Sequence, residues 1–197
     1  MLEFKNASVA LSADRVSAPF SLEMDAGEVA CLSGAAEAGK SLLLRAIMGL
    51  APLRSGYITI DGELVTPGSS AYFRRMIAYV PQRVPTVRVR VGQLITQLLS
   101  LKAVGVSLDQ RQLSATWQAM ALPADLAERW ATDVEPRQLA TALLAAVPLL
   151  RRPIVLVDDP APEAVAAGLL ADLAASGAEV LYTSRRSDLP CHKIITL

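Results

Sequence analysis

A glycine-bounded loop near the start of the chain constrains the fold more than any other segment. An apolar, strand-like run at 28–33 precedes this loop, and a helix-like run at 42–48 follows it. Between them, residues 34–41 read Gly-Ala-Ala-Glu-Ala-Gly-Lys-Ser, which fits the pattern G-x-x-x-x-G-K-[ST]. A strand, a loop of this kind and a helix in this order predict an α/β sheet of mostly parallel strands, with a ligand site at the carboxyl ends of the strands.

The chemistry of this loop predicts binding of a nucleoside triphosphate with Mg²⁺. Backbone N–H groups and the following helix N-terminus surround the polyphosphate, while Lys40 reaches the β- and γ-phosphates and the Ser41 hydroxyl ligates Mg²⁺. Glu37 does not suit such a loop, because its carboxylate repels phosphate. A strand-to-helix turn that matches by chance is the alternative. The residues expected to contact the nucleotide are Gly34, Ala35, Ala36, Glu37, Ala38, Gly39, Lys40, Ser41 and Leu42.

Length and charge limit the organisation and the partners. The 197 residues suffice for one domain, 1–197, and we expect a core from 1–85 and 150–197. Apolar residues take a helical spacing between Val91 and Met120, which predicts a helical subdomain over about 86–149. The formal net charge is zero, which argues against nucleic acid as a partner. No leader or membrane span is evident in the sequence, so we expect a cytosolic protein.

A second apolar run supplies the carboxylates that such a site requires. Residues 154–157 read Ile-Val-Leu-Val and are followed by Asp158 and Asp159. Asp158 is the candidate to hold the Mg²⁺ that bridges the β- and γ-phosphates, and a carboxylate that merely caps a helix or turn is the alternative. On an extended backbone Asp159 would point away from Asp158, where it could orient an attacking water.

Taken together, these segments resemble the nucleotide-binding subunits of ABC transporters. The resemblance is firmest over 27–62, where the loop, its helix and the hairpin with Asp61-Gly62 all match, and Gln82 looks like the Q-loop glutamine. The resemblance implies a P-loop NTPase with an N-terminal antiparallel β part and a small helical subdomain. It assigns Mg²⁺ to Ser41, Gln82 and Asp158, and catalysis to Asp159 and Gln82. Phosphate-loop kinases remain possible in principle, but the hairpin and Gln82 argue against them.

The resemblance also implies partners. The cofactors would be ATP and Mg²⁺, and an integral membrane transporter subunit would hold the protein on the inner face of the membrane. Family members pair head to tail, so we expect a homodimer or a heterodimer with a second nucleotide-binding subunit.

Several family motifs are replaced. Residues 134–138 read Val-Glu-Pro-Arg-Gln where the family has Leu-Ser-Gly-Gly-Gln. Glu135 therefore repels phosphate, and Pro136 removes an N–H donor. Asp159 stands where the family has glutamate, one methylene shorter, and Ser184 stands where it has the switch histidine. Residues 161–163 do not match the family's D-loop, and His192 is interpreted as an ordinary surface or strand-end histidine. We therefore expect an ATP-binding transporter subunit with slow hydrolysis or none. The alternative is a non-hydrolysing structural or regulatory module.

Restoring the replaced residues tests which loss limits turnover. The double substitution Asp159→Glu and Ser184→His should raise the steady-state release of phosphate from MgATP, because positioning errors on the order of 1 Å cost roughly 10²-fold in rate. Unchanged phosphate release would instead place the limit at the altered signature or at dimerisation.

Overall fold

The chain forms two β-sheets. The loop at 34–41, called the phosphate loop below, follows the carboxyl end of a strand in the larger sheet. A computed structural model describes residues 1–85, 87–102, 110–160, 164–185 and 190–197. The strands in this part of the chain are β1 (Leu2–Ser8), β2 (Phe20–Met24), β3 (Val29–Ser33), β4 (Ser55–Ile60), β5 (Glu63–Leu64), β6 (Ile77–Val80), β7 (Ile154–Asp158), β8 (Glu179–Ser184) and β9 (Lys193–Thr196).

The larger sheet is parallel and has the order β6-β7-β8-β3-β9. Every residue of β3 and β7 is buried, which explains why both strands read as continuous apolar runs rather than as alternating patterns. Because the strands run in the same direction, the residues that follow β3, β6, β7 and β8 meet at one edge. The predicted parallel sheet is therefore confirmed, and a ligand site at this edge stays a prediction.

The smaller sheet is antiparallel, with the order β2-β1-β4-β5. Asp61 and Gly62 form the turn between β4 and β5, both with positive φ, as the Asp-Gly pair predicts. The register of β1 against β4 shifts between Lys5 and Ser8, and Gly56 faces this irregularity with φ 72°. The predicted N-terminal antiparallel part is confirmed.

Helices cover the larger sheet, and most of them lie where apolar spacing predicts them. The first helix begins two residues earlier than the apolar run, so that Lys40 and Ser41 lie in its first turn. The four-residue second helix was not predicted, because it is too short to show a helical period. The helices in the described segments are α1 (Lys40–Ile47), α2 (Ser70–Phe73), α3 (Val91–Lys102), α4 (Gln110–Ala119), α5 (Pro136–Ala146) and α6 (Ala164–Ala175).

The core has two hydrophobic clusters, one on each face of the larger sheet. Val155 and Val157 of β7 belong to the cluster that contains residues of α3 to α6, whereas Ile154 and Leu156 belong to the cluster with α1 and the antiparallel sheet. Trp117 of α4 joins the first cluster and donates a hydrogen bond from Nε1 to the Ala142 carbonyl at 2.9 Å. The boundaries given for the core and the helical subdomain stay predictions. Among the described helices, none is long and apolar enough to cross a bilayer.

Two glycines of the hairpin provide a matched test of backbone strain. Gly56 and Gly62 both have positive φ, but a Cβ on Gly56 would lie 2.2 Å from the Lys5 carbonyl oxygen, whereas one on Gly62 would meet no atom within 4 Å. Gly56→Ala should lower the free energy of unfolding in urea by roughly 2–5 kcal/mol, from left-handed strain and the clash together. Gly62→Ala should cost about 1 kcal/mol. Equal losses would mean that the close approach at Gly56 is absent in solution.

Candidate functional site

The loop between β3 and α1 ends at Gly39, which no other residue can replace without strain. Gly39 caps α1 with φ 92°, and a Cβ there would lie 2.7 Å from Leu11 Cδ2 and 2.8 Å from Val9 Cγ2. Among the described residues no side chain caps the first turn of α1. The N–H groups of that turn are therefore directed at the space inside the loop, as an anion site requires.

Lys40 folds back over this loop. Its side chain is buried, and its ammonium donates hydrogen bonds to the carbonyls of Gly34 at 2.7 Å and Ala35 at 2.6 Å. Burial lowers the pKa of Lys40, while the charges of Asp159 and Asp158 act in the opposite direction. The loop carbonyls therefore hold the Lys40 cation, which also feels the charges of the carboxylates at the end of β7.

The Asp158 carboxylate is the meeting point of three elements. Ser41 of α1 donates a hydrogen bond from Oγ to Oδ1 at 3.0 Å, and Thr183 of β8 donates to the same oxygen at 2.7 Å. Tyr79 of β6 lies with its hydroxyl 3.4 Å from Oδ2, and burial, followed by the charge of Asp158, raises the pKa of Tyr79. Asp158 itself is 5% exposed, so these donors replace most of its hydration.

These oxygens fit a magnesium ion. Mg²⁺ prefers hydroxyl, carboxylate and phosphate oxygens, and neighbouring ligands at about 2.1 Å in an octahedron lie about 3.0 Å from each other. The oxygens of Ser41 and Asp158 have this separation. A bound Mg²⁺ would therefore be held by these two residues and would neutralise charge on the phosphates.

Asp159 differs from its predicted conformation. Its backbone is left-handed, with φ 52°, so the expectation of an extended residue that alternates with Asp158 is wrong. The Asp159 N–H donates to Thr183 Oγ1 at 2.9 Å, which holds the turn at the end of β7. Its Oδ2 accepts hydrogen bonds from Gln82 Nε2 at 2.9 Å and from Arg185 Nη2 at 3.4 Å.

The structure brings together most, but not all, of the residues predicted from sequence. Ser41 contacts Asp158 and Gln82 contacts Asp159, the next residue, while Lys40 precedes Ser41 in the first turn of α1. Glu37 is different, because it is exposed on the loop and has a left-handed φ of 65°. The other predicted loop residues are exposed (Ala35 and Ala36), partly buried (Gly34, Ala38 and Leu42) or buried (Gly39).

Three residues of the site were not found by sequence reasoning: Tyr79, Thr183 and Arg185. Thr183 is in register with Asp158 across the β7–β8 pair, and Tyr79 is in register with Leu156 across the β6–β7 pair. The only signal in the sequence was a polar residue near the carboxyl end of an apolar strand. Such a residue cannot be assigned to the site until the strand order is known.

Other predicted features lie away from this group or outside the described residues. Glu135 caps α5 and Pro136 is its first residue, both exposed, so the segment that replaces the signature is a helix N-terminus carrying a carboxylate. Pro136 suits this position, because the first turn of a helix needs no N–H donor. His192 Nδ1 accepts a hydrogen bond from the Val29 N–H at 2.9 Å, consistent with a strand-end role. Residues 161–163 lie outside the described segments.

Comparison with known proteins identifies the family. A family model described as "ABC transporter" matches residues 18–161, and the chain therefore belongs to this family. Over 148 residues it is 28% identical to an Fe(3+) ions import ATP-binding protein of Pseudomonas fluorescens, covering 71% of this chain and 40% of that protein. Over 62 residues it is 42% identical to a manganese transport system ATP-binding protein of Listeria innocua, covering 32% of this chain and 24% of that protein. The chain thus aligns with less than half the length of each relative.

Solved structures support the same fold. A dimeric ATP-binding cassette in a post-hydrolysis state, bound to ADP and Pi, superposes with a TM-score of 0.83 at 19% identity, covering 100% of this chain and 94% of that one. At this identity the likeness shows the fold alone, which is that of an ABC-type P-loop NTPase.

Glu37 has two unfavourable effects, a strained left-handed backbone and a charge that repels phosphate, and different substitutions remove each one. Glu37→Gly should raise the free energy of unfolding by roughly 0.5–1 kcal/mol, because glycine accepts the left-handed backbone. Glu37→Gln keeps the strained backbone but removes the charge, so it should leave stability unchanged and lower the Kd for MgATP by about twofold. Urea unfolding and calorimetric titration measure the two effects. Equal stabilisation by both substitutions would show that charge, not backbone strain, is the cost.

Proposed function

We propose that this chain is the ATP-binding subunit of an ABC transporter, and that it couples the binding of MgATP to transport by a separate membrane subunit. The observation that carries the proposal is the contact between Ser41 of the loop helix and Asp158 at the end of β7. It joins the phosphate loop to the carboxylate that an ATP site needs for Mg²⁺. The names of the two relatives, both ATP-binding proteins of transport systems, support the same proposal.

Nucleotide binding follows from exchange of hydrogen bonds at the loop. Lys40 now donates to two loop carbonyls, and phosphate oxygens offer it charge-assisted hydrogen bonds in their place. Ser41 and Asp158 would provide oxygens for Mg²⁺, which would neutralise charge on the phosphates. The first-turn N–H groups of α1 complete the anion site.

Hydrolysis is the weaker part of this function. One oxygen of the Asp159 carboxylate, Oδ2, already accepts hydrogen bonds from Gln82 and Arg185, which leaves the other oxygen to orient an attacking water. Asp159 is also a short side chain on a left-handed backbone, which limits where its carboxylate can reach. We therefore propose slow turnover, with Gln82 and Asp159 as the residues that would position the attacking water.

A specific observation favours the alternative of a non-hydrolysing regulatory or structural module. In head-to-tail pairing, the N-terminus of α5 would face the partner's nucleotide, and here it presents the exposed Glu135. Such a carboxylate opposes the phosphates of the second site. A heterodimer with an intact nucleotide-binding subunit would still contain one site with a complete signature. As the ATP-binding subunit proposed above, the protein would act at the inner face of the membrane through its transporter partner.

Thermal unfolding with MgATP tests the binding proposal. At about 100 times its Kd, MgATP should stabilise the folded chain by about 2.7 kcal/mol, which corresponds to a rise in Tm of roughly 5–10 °C for a chain of this size. Lys40→Ala should abolish the rise, because it removes the cation of the loop. The matched control Lys5→Ala removes an exposed lysine of β1 and should keep it. An unchanged Tm of the original protein with millimolar MgATP would refute nucleotide binding.

A further inference from the structure

We propose that a pocket beside the amino-terminal ends of β7 and β8 binds a zwitterionic small molecule with an apolar body, of the chemical class of amino acids with aliphatic side chains. The pocket lies at the opposite end of these strands from the phosphate loop. The inference does not depend on the proposed function, because no residue of the nucleotide site lines this pocket.

Two segments of the chain form the pocket, which has a volume of about 550 Å³. The first segment, 147–153, leads into β7, and the second, 172–178, contains the end of α6 and leads into β8. The Glu179 N–H donates a hydrogen bond to the Pro153 carbonyl at 2.8 Å and joins the two segments. The volume is within the usual range of small-molecule sites, about 300–1,000 Å³.

The inner surface of the pocket is apolar. Val147, Val155 and Leu173 line it, and all three are buried members of the hydrophobic cluster that contains residues of α3 to α6. An aliphatic group that enters the pocket is removed from water against these side chains, which favours its binding. The ligand therefore has an apolar body.

Charges of opposite sign line the two segments. Arg151 and Arg152 are on the first segment, and Asp172 is on the second. In the part of the chain that the structure describes, neither Arg151 nor Asp172 takes part in an ion pair. The carbonyl end of α6 adds to the negative side, because a helix C-terminus favours a cation. A ligand carboxylate at the arginines and a ligand ammonium at Asp172 would satisfy both segments, so the charges complement a zwitterion.

The backbone at Arg151 supports a role for its side chain in binding. Arg151 is left-handed, with φ 46°, and its N–H donates to the Pro148 carbonyl at 3.2 Å. Glycine is the residue that suits such a position after a helical turn, and the turn that follows α6 uses Gly177, with φ 95°. Non-glycine residues in strained conformations are concentrated at functional sites. The turn at 151 does not need an arginine, whereas recognition of a carboxylate does.

NMR titration of the full chain without nucleotide tests the proposal with three matched probes. L-leucine carries both charges, isocaproate is leucine without the ammonium, and isoamylamine is leucine without the carboxylate. L-leucine should shift the backbone amide resonances of Gly177 and Ala178 and leave that of Gly39 in the phosphate loop unchanged. It should bind at least about fivefold more tightly than either analogue, because each analogue loses one charge-assisted contact.

Two substitutions separate the contacts. Arg151→Gly removes the guanidinium, and glycine accepts the left-handed backbone, so this variant should fold as well as the original protein. It should weaken binding of L-leucine and isocaproate about fivefold and leave isoamylamine unchanged. Asp172→Asn should weaken L-leucine and isoamylamine and leave isocaproate unchanged. The matched controls Arg54→Ala and Asp14→Asn each remove an exposed charge elsewhere and should change none of the three affinities.

The outcomes decide the proposal without reference to ATP. If none of the three probes shifts the resonances of Gly177 and Ala178, the pocket does not bind this class of molecule. If all three bind equally, or if Arg151→Gly weakens all three equally, the charges do not select a zwitterion and the proposal is overturned. Because the titration contains no nucleotide, a failure of MgATP binding would overturn the proposed function and leave these results unaffected.

Discussion

The hydrogen bonds to the Asp158 carboxylate are the constraint on which the rest of the site depends. Ser41 and Thr183 donate to a single oxygen of a side chain that is almost completely buried. A buried carboxylate without such donors would be costly, so each contact fixes the position of the element that supplies it. The loop helix, β7 and β8 are thereby held in one arrangement, with Lys40 and Asp159 beside them.

This arrangement separates binding from hydrolysis. The groups proposed to hold a polyphosphate and Mg²⁺ come from the loop, α1 and the end of β7, and they are close together. Activation of water would depend on Asp159. Its side chain is short, its backbone is left-handed, and Oδ2 of its carboxylate accepts hydrogen bonds from two donors. The segment at the start of α5 carries a carboxylate instead of glycines. On the proposed function, affinity for nucleotide and capacity for turnover would therefore depend on different residues.

Sequence reasoning located the site because its main residues belong to local patterns. The loop joins an apolar run to a helical one, and Asp158 ends another apolar run, so neither required knowledge of the fold. Thr183 and Arg185 could not be placed in this way, because their contacts depend on the order β7-β8-β3 and on its register. The left-handed backbone of Asp159 was also missed, since an aspartate after a strand gives no sign of a positive φ.

The most direct measurement of the central claim is the identity of the nucleotide that the protein retains. Purified protein is incubated with Mg²⁺ and ATP labelled at the γ-phosphate and on the base, separated from free nucleotide, and its bound nucleotide is resolved at successive times. The account predicts that ATP is recovered intact over many minutes from the original protein and is absent from Lys40→Ala. Recovery of ADP with rapid release of labelled phosphate, or no bound nucleotide at all, would contradict it.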